Sequence, residues 1–159
     1  MKITLSIITF ILCISPIMSQ KDVYHVLRKY KNDQGVVSYD MEGDFTNLFK
    51  DRNLKSKLTK MNILVMGEDF NFDKSDQTEI DRILNNLNYE LLINVKNVDG
   101  KIKLYAIDTG KYLSNLYLMG DYQGKKILVT INGVVYFEEL SQLSPNIDGT
   151  EEIFKQLKD

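Results

Sequence analysis

Residues 89–131 read YELLINVKNVDGKIKLYAIDTGKYLSNLYLMGDYQGKKILVTI, and this run decides the fold. Apolar and polar residues alternate along it, and the alternation breaks only at turns that contain Gly. Tyr89, Leu91, Ile93 and Val95 point one way and Glu90, Leu92, Asn94 and Lys96 the other, the period of two of a half-buried strand. Turns at Asp99-Gly100, Asp108 to Lys111 and Asp121 to Gly124 divide the run into a four-stranded antiparallel meander. A type I′ turn at Asp99-Gly100 sets Val98 opposite Lys101 and Val95 opposite Leu104. Placing the most apolar set of each strand on one core face then predicts Leu104 opposite Leu116, Leu118 opposite Ile127 and Leu116 opposite Val129.

The second face of this meander is mixed. It carries Leu92, Ile107 and Leu113 toward one end, Tyr105, Tyr117, Met119 and Leu128 in the middle, and Lys96, Lys103 and Lys126 toward the other. A solvated face would not hold so many large apolar groups, and a buried one would not hold three lysines. The expectation is that Tyr105, Tyr117, Met119 and Leu128 stay accessible and form a partner-binding surface, tyrosine being apolar in body and polar at its tip. The competing expectation is that a terminal helix covers them, with Ile153, Phe154 and Leu157 as the residues to do so.

Upstream, Val23, Val26, Leu27 and Tyr30 have helical spacing and Gly35 follows as a stop. Val36 to Met41 alternates as a strand with Val37, Tyr39 and Met41 on one side. Phe45 to Leu58 fits two short helices broken near Asp51 to Asn53. Met61 to Met66 is almost continuously apolar, as a strand buried on both faces would be. Asp76 with Glu79 resembles a capping box before Ile80, Ile83, Leu84 and Leu87, the clearest helix in the chain. After Asn132-Gly133 come Val134 to Tyr136, a helical turn over Phe137 to Leu143, and a last short helix capped by Thr150. Two strand, helix, strand units followed by the meander predict a single α+β domain with a mixed sheet and helices mainly on one face.

Composition narrows the function classes. Over 159 residues, 43% are apolar and 26% charged, enough apolar surface to offset the entropy of ordering one core. The net charge of -2 is spread without a basic block, which argues against a nucleic-acid surface. Met1 to Ser19 holds Lys2, an apolar stretch from Ile3 to Ile14, Pro16 and a small Ser19, the pattern of a secretory signal peptide. Its roughly 16 apolar-biased residues fall short of the roughly 20 of a spanning helix. Cleavage after Ser19 would leave a mature chain without a transmembrane segment and without cysteine, since Cys13 is the only one; lipid anchoring is not expected, because Leu12 stands where a lipoprotein signal needs a small residue. The domain reading is therefore 1–19 signal peptide, 20–143 α+β domain and 144–159 a C-terminal loop and short helix.

Chemical motifs are few. Asp69, Asn71 and Asp73 open like a calcium loop, but Lys74 occupies the place of its turn glycine and Ile80 that of its bidentate glutamate. His25 is the only histidine, so His and Cys zinc sites are excluded from the mature chain, and no nucleophile-elbow or phosphate-loop pattern occurs. No catalytic residue, metal or cofactor is implied. A carboxylate-dependent hydrolase built on Glu68 to Asp76, acting in the periplasm or outside the cell, is the alternative to a binding module.

The succession L-R-K-Y (27–30), V-V-S-Y (36–39), M-N-I-L-V-M (61–66), N-V-D-G-K-I-K-L-Y-A (97–106) and E-L-S-Q-L (139–143) resembles the Bacteroidetes family called domain of unknown function 4252. The resemblance covers roughly Val23 to Leu143. It implies a small exported envelope protein with an α+β fold and no established activity, and it carries over no functional residues. Separately from the resemblance, the lack of chemical motifs and the export signal lead to the expectation of a non-enzymatic binding module. Its expected partner is a protein or another envelope component, met in the periplasm or outside the cell, in an oligomeric state the sequence leaves open.

Overall fold

The computed structural model describes residues 21–44, 54–96, 98, 100–122 and 124–142. Helix α1 (Val23–Leu27) begins at Asp22, whose carboxylate accepts the His25 amide at 2.8 Å, and passes into a 3-10 segment, Arg28–Asn32. Val23, Val26, Leu27 and Tyr30 are all buried, as their spacing predicts. Strands β1 (Val36–Glu42) and β2 (Lys57–Met66) follow, then helix α2 (Lys74–Asn86) and strands β3 (Glu90–Lys96), β4 (Gly100–Asp108), β5 (Leu113–Tyr122) and β6 (Lys125–Val134). A 3-10 turn, Phe137–Gln142, closes the described chain. The chain is a single α+β domain.

The six strands form one sheet in the order β1-β2-β6-β5-β4-β3, and every pairing in it is antiparallel. The expected mixed sheet is thus corrected. The strand, helix, strand unit β2-α2-β3 exists and its two strands run the same way, but α2 carries the chain to the far edge. Three strands lie between β2 and β3, so they never pair. Lys57 and Leu58, placed in a helix by their spacing, belong to β2, and Leu54 to Ser56 lie in no helix; the rest of that helical expectation, residues 45–53, lies outside the described residues, as does the C-terminal helix.

Two apolar layers flank the sheet. On one face Met61, Ile63, Ile102, Leu104, Ala106, Leu118, Ile127, Val129 and Ile131 form a wholly apolar layer, joined by Val135 and Leu140 after β6. On the other, Leu64, Met66, Tyr117 and Leu128 lie against α1 and α2 through Val23, Val26, Leu27, Ile80, Ile83 and Leu84. Successive residues of β2, such as Ile63 and Leu64, enter opposite layers, which is why this strand reads as continuously apolar.

Register within the last four strands is displaced by two residues from the expected one. Val95 stands opposite Ile102, Leu104 opposite Leu118, and Leu116 and Leu118 opposite Ile131 and Val129. The first connection is longer than a two-residue turn, since Lys96 already pairs with Lys101. A slip of two preserves the parity of each strand, so the same side chains reach the same faces. Bulges do change faces: register shifts between Leu91 and Ile93 and between Tyr105 and Ile107, and Leu92 and Leu113 join the apolar layer rather than the face of Tyr105. A third shift, between Leu58 and Lys60, faces Gly133, whose φ of +142° and closeness to the Lys57 carbonyl leave no room for a side chain.

Helix α2 starts three residues earlier than the capping-box reading. Asp73, with φ and ψ in the extended region, accepts the Ser75 amide at 2.7 Å and the Ser75 hydroxyl at 2.8 Å. Glu79 instead binds Arg82 bidentately at 2.7 and 2.8 Å on the exposed side of the helix.

Candidate binding edge

The structure brings Tyr105, Tyr117, Met119 and Leu128 together, with the Tyr105 and Tyr117 rings stacked at a 6.2 Å centroid distance. They do not form an open surface. Tyr117 is 1% exposed and Leu128 2%, and only Tyr105 and Met119 are half-buried. The expectation of accessibility is corrected for the first two, and the physical reason is α2, whose Ile80, Ile83 and Leu84 share their layer. Burial accordingly pushes the Tyr117 hydroxyl pKa up, and that of Tyr89 to about 12.

The loop from Glu68 to Asp76 also takes structural roles. Asp73 caps α2. Asp76 accepts a hydrogen bond from the Tyr30 hydroxyl and an ion pair from Lys29, while the Tyr30 ring packs on Phe70 and Phe72 at 5.3 and 4.9 Å. Burial pushes the Tyr30 hydroxyl pKa up and its bond to Asp76 adds to this. A cleft of about 450 Å³ lies beside this loop, lined by Gln34, Gly35 and Gly67 to Asn71, with exposed Glu68 and Asp69 on its wall. Among the described residues no group of three His, Cys, Asp or Glu is placed to hold a metal ion. His25 is exposed on α1.

What the fold leaves open is the outer edge of β1. Gly43 N–H donates to Thr59 O at 3.0 Å and Gly67 N–H to Gly35 O at 3.3 Å. By the alternation of an antiparallel ladder, the odd-numbered residues between them turn their backbone groups toward β2, and Val36, Ser38, Asp40 and Glu42 turn theirs outward. The Val36 amide is taken by Asp33 O at 3.2 Å. Beyond the others no strand lies, among the described residues. On the apolar-layer side of this edge Val37 is 51% and Tyr39 40% exposed, with Met41 half-buried beside them.

The same strand is tied to its neighbours from its other side. Asp40 accepts Asn62 Nδ2 at 2.7 Å, and Asn62 Oδ1 accepts the Thr130 hydroxyl at 3.2 Å, a chain of bonds running from β1 through β2 to β6. Lys31 forms an ion pair with Asp40 and donates to the Tyr24 hydroxyl at 3.3 Å, which itself donates to Asp40 at 3.3 Å. Lys60 sits over the Tyr24 ring at 4.8 Å. Burial pushes the Asp40 carboxyl up, but the bonds from Lys31 and Asn62 together outweigh it and hold its pKa below the ordinary value. These partners come from positions far apart in sequence, so no local motif announces them.

The opposite edge is built differently. β3 is interrupted by its bulge at Leu91, ends on Lys96, and alternates through exposed Glu90 and Asn94. Charge and bulging are the usual means of discouraging strand addition. β1 has neither Lys nor Pro; of its two acids Asp40 is paired with Lys31 and Glu42 stands at its end, and its register against β2 is unbroken over its seven residues. No family model, curated protein or solved structure matches the chain.

Proposed function

We propose that this is an exported protein of the bacterial cell envelope, as its resemblance to the domain of unknown function 4252 family implies, and that it works without catalysis, by binding another protein or envelope component. In this reading the leader 1–19 is removed and the domain presents a C-terminal four-stranded meander with helices mainly on one face. The binding element is the outer edge of β1, which accepts an extended segment as an added strand. One observation carries this: a seven-residue edge strand of unbroken register, backed by a polar clamp, that holds Val37 and Tyr39 half exposed. Main-chain donors and acceptors supply the affinity in such an arrangement, and the alternate side chains supply the selectivity.

The test is made in the cells that produce the protein. A photo-crosslinking residue at Tyr39 is expected to yield a discrete adduct, and one at Lys74, exposed at the start of α2, none. Intact mass of the envelope form should begin at Gln20. Equal labelling from both positions, or full-length chain retained in membranes, would count against the reading.

A further inference from the structure

We infer that the strand added to β1 is β1 of a second copy of this chain, paired antiparallel about a two-fold axis that passes through Tyr39. The inference rests on β1 being the binding edge. A two-fold axis perpendicular to the sheet brings two β1 strands together antiparallel and leaves the same face of each sheet on the same side, so opposed residues must share parity. Only a few registers satisfy this, and their side chains differ sharply.

With the axis on Tyr39, all residues from Val36 to Glu42 find a partner. Tyr39 meets its own copy and Val37 meets Met41 of the second copy, so the half-exposed side chains of the apolar-layer side are covered in one row. Aromatic and aliphatic pairs directly opposed in this way are the stabilising unit of a sheet. On the other side Ser38 meets Asp40, and both turn their backbone groups outward, so each exchanges two main-chain hydrogen bonds with the other. Asp40 brings no unbalanced charge there, because Lys31 and Asn62 already hold its carboxylate. An axis on Asp40 would instead set two carboxylates face to face. An axis on Ser38 would oppose Glu42 to Gln34, which precedes the strand. The Tyr39 register is the one in which length, apolar matching and charge agree, and it makes one continuous sheet through both copies.

Sedimentation of the purified envelope form across a concentration series is expected to show a dimer. Under mild oxidation Tyr39→Cys should give a disulfide-linked dimer, since side chains opposed at a non-hydrogen-bonded position have Cβ atoms about 5 Å apart, close to disulfide reach. Val37→Cys mixed with Met41→Cys should link, and Val37→Cys alone should not, its two copies being about four residues, or roughly 13 Å, apart along the strand. Tyr39→Arg, which sets like charges on the axis, should weaken association about tenfold or more with an unchanged circular dichroism spectrum. A monomer at all concentrations overturns the inference, as does linkage by Val37→Cys alone in place of Tyr39→Cys. If that monomer still gives the Tyr39 adduct with a different protein in cells, β1 remains the binding edge and only the second copy is refuted; with no adduct and with slow β1 amide exchange in the monomer, both fall.

Discussion

The two faces of the sheet reach similar burial by different means. One face is apolar from Met61 and Ile63 on β2 across to Ile102 and Leu104 on β4, and its side chains need nothing but neighbours. The other mixes Leu64, Met66 and Leu128 with Tyr117, Thr130, Asn62 and Asp40, and this is the face on which α1, its 3-10 extension and α2 pack. A polar group taken from water must be given a partner. The segment from Tyr24 to Lys31 supplies such partners to Asp40 while its Val26, Leu27 and Tyr30 fill the adjacent core. The contrast teaches that helices here serve two ends at once, covering an apolar strip and neutralising the polar row beside it.

The largest effects should come from neighbouring positions of β2 that point to opposite faces. Ile63→Ala and Leu64→Ala are each expected to cost about 2–5 kcal/mol in urea unfolding, since both side chains are buried. A value for Leu64→Ala within about 0.5 kcal/mol of zero would mean that the helices do not cover their face, and the comparison would break.

Each face also has a buried polar anchor. At the rim of the apolar face Glu139, 8% exposed, accepts the Lys55 and Ser56 amides at 2.9 and 2.8 Å and the Ser56 hydroxyl at 2.6 Å, and Ser56 Oγ accepts the Tyr136 amide at 3.0 Å. Glu139→Ala strands these donors and should cost about 2–3 kcal/mol. Asn62→Ala on the helical face unlinks Thr130 from Asp40 and should cost about 1–2 kcal/mol, with Lys31 left to hold Asp40. Equal costs, or the reverse order, would show that the clamp on β1 is the stronger anchor.

A smaller effect separates the two anchors by pH. Burial pushes the Glu139 carboxyl up, yet its hydrogen bonds from Ser56 and Lys55 outweigh this and hold it below its ordinary 4.5. The unfolded chain therefore takes up the proton first as pH falls. The contribution of Glu139 is complete above about pH 4.5, declines below it, and is gone once pH has dropped through the folded pKa. Melting temperatures of the parent and of Glu139→Gln should converge over that window. Asp40, whose pKa is lowered in the same direction, is more exposed and adds a weaker, salt-sensitive part. Smallest of all, Arg82→Ala breaks a pair with Glu79 on the solvent side of α2 and should move stability by less than about 0.5 kcal/mol in thermal or urea melts; a larger loss would mean that this side of α2 is packed.

Much of this was legible from local pattern. Alternation placed Val37, Tyr39 and Met41 on one side of a strand and Tyr105, Tyr117, Met119 and Leu128 on one face of another set, because side-chain direction depends only on parity along a strand. Helical spacing likewise marked Val23, Val26, Leu27 and Tyr30, and Ile80, Ile83 and Leu84, as buried stripes. The N-cap was misplaced by three residues because Asp73 and Asp76 are chemically equivalent caps, and only the backbone turn at Asp73 chooses between them.

The rest belongs to pairing between distant residues, on which a single chain read locally is silent. Amino-acid pattern alone determined which residues face together away from the bulges, the position of most of the described strands and helices, and that no motif of metal, nucleotide or nucleophile chemistry is present. Tertiary structure alone decided that β3 goes to the far edge, so that among the described residues no parallel pair forms; that α2 covers Tyr117 and Leu128; and that β1 is left at the edge of the described sheet. The physical reason is that parity and propensity are properties of a few successive residues, whereas strand order and cover depend on which of several equally apolar surfaces meet, a choice made by the whole core.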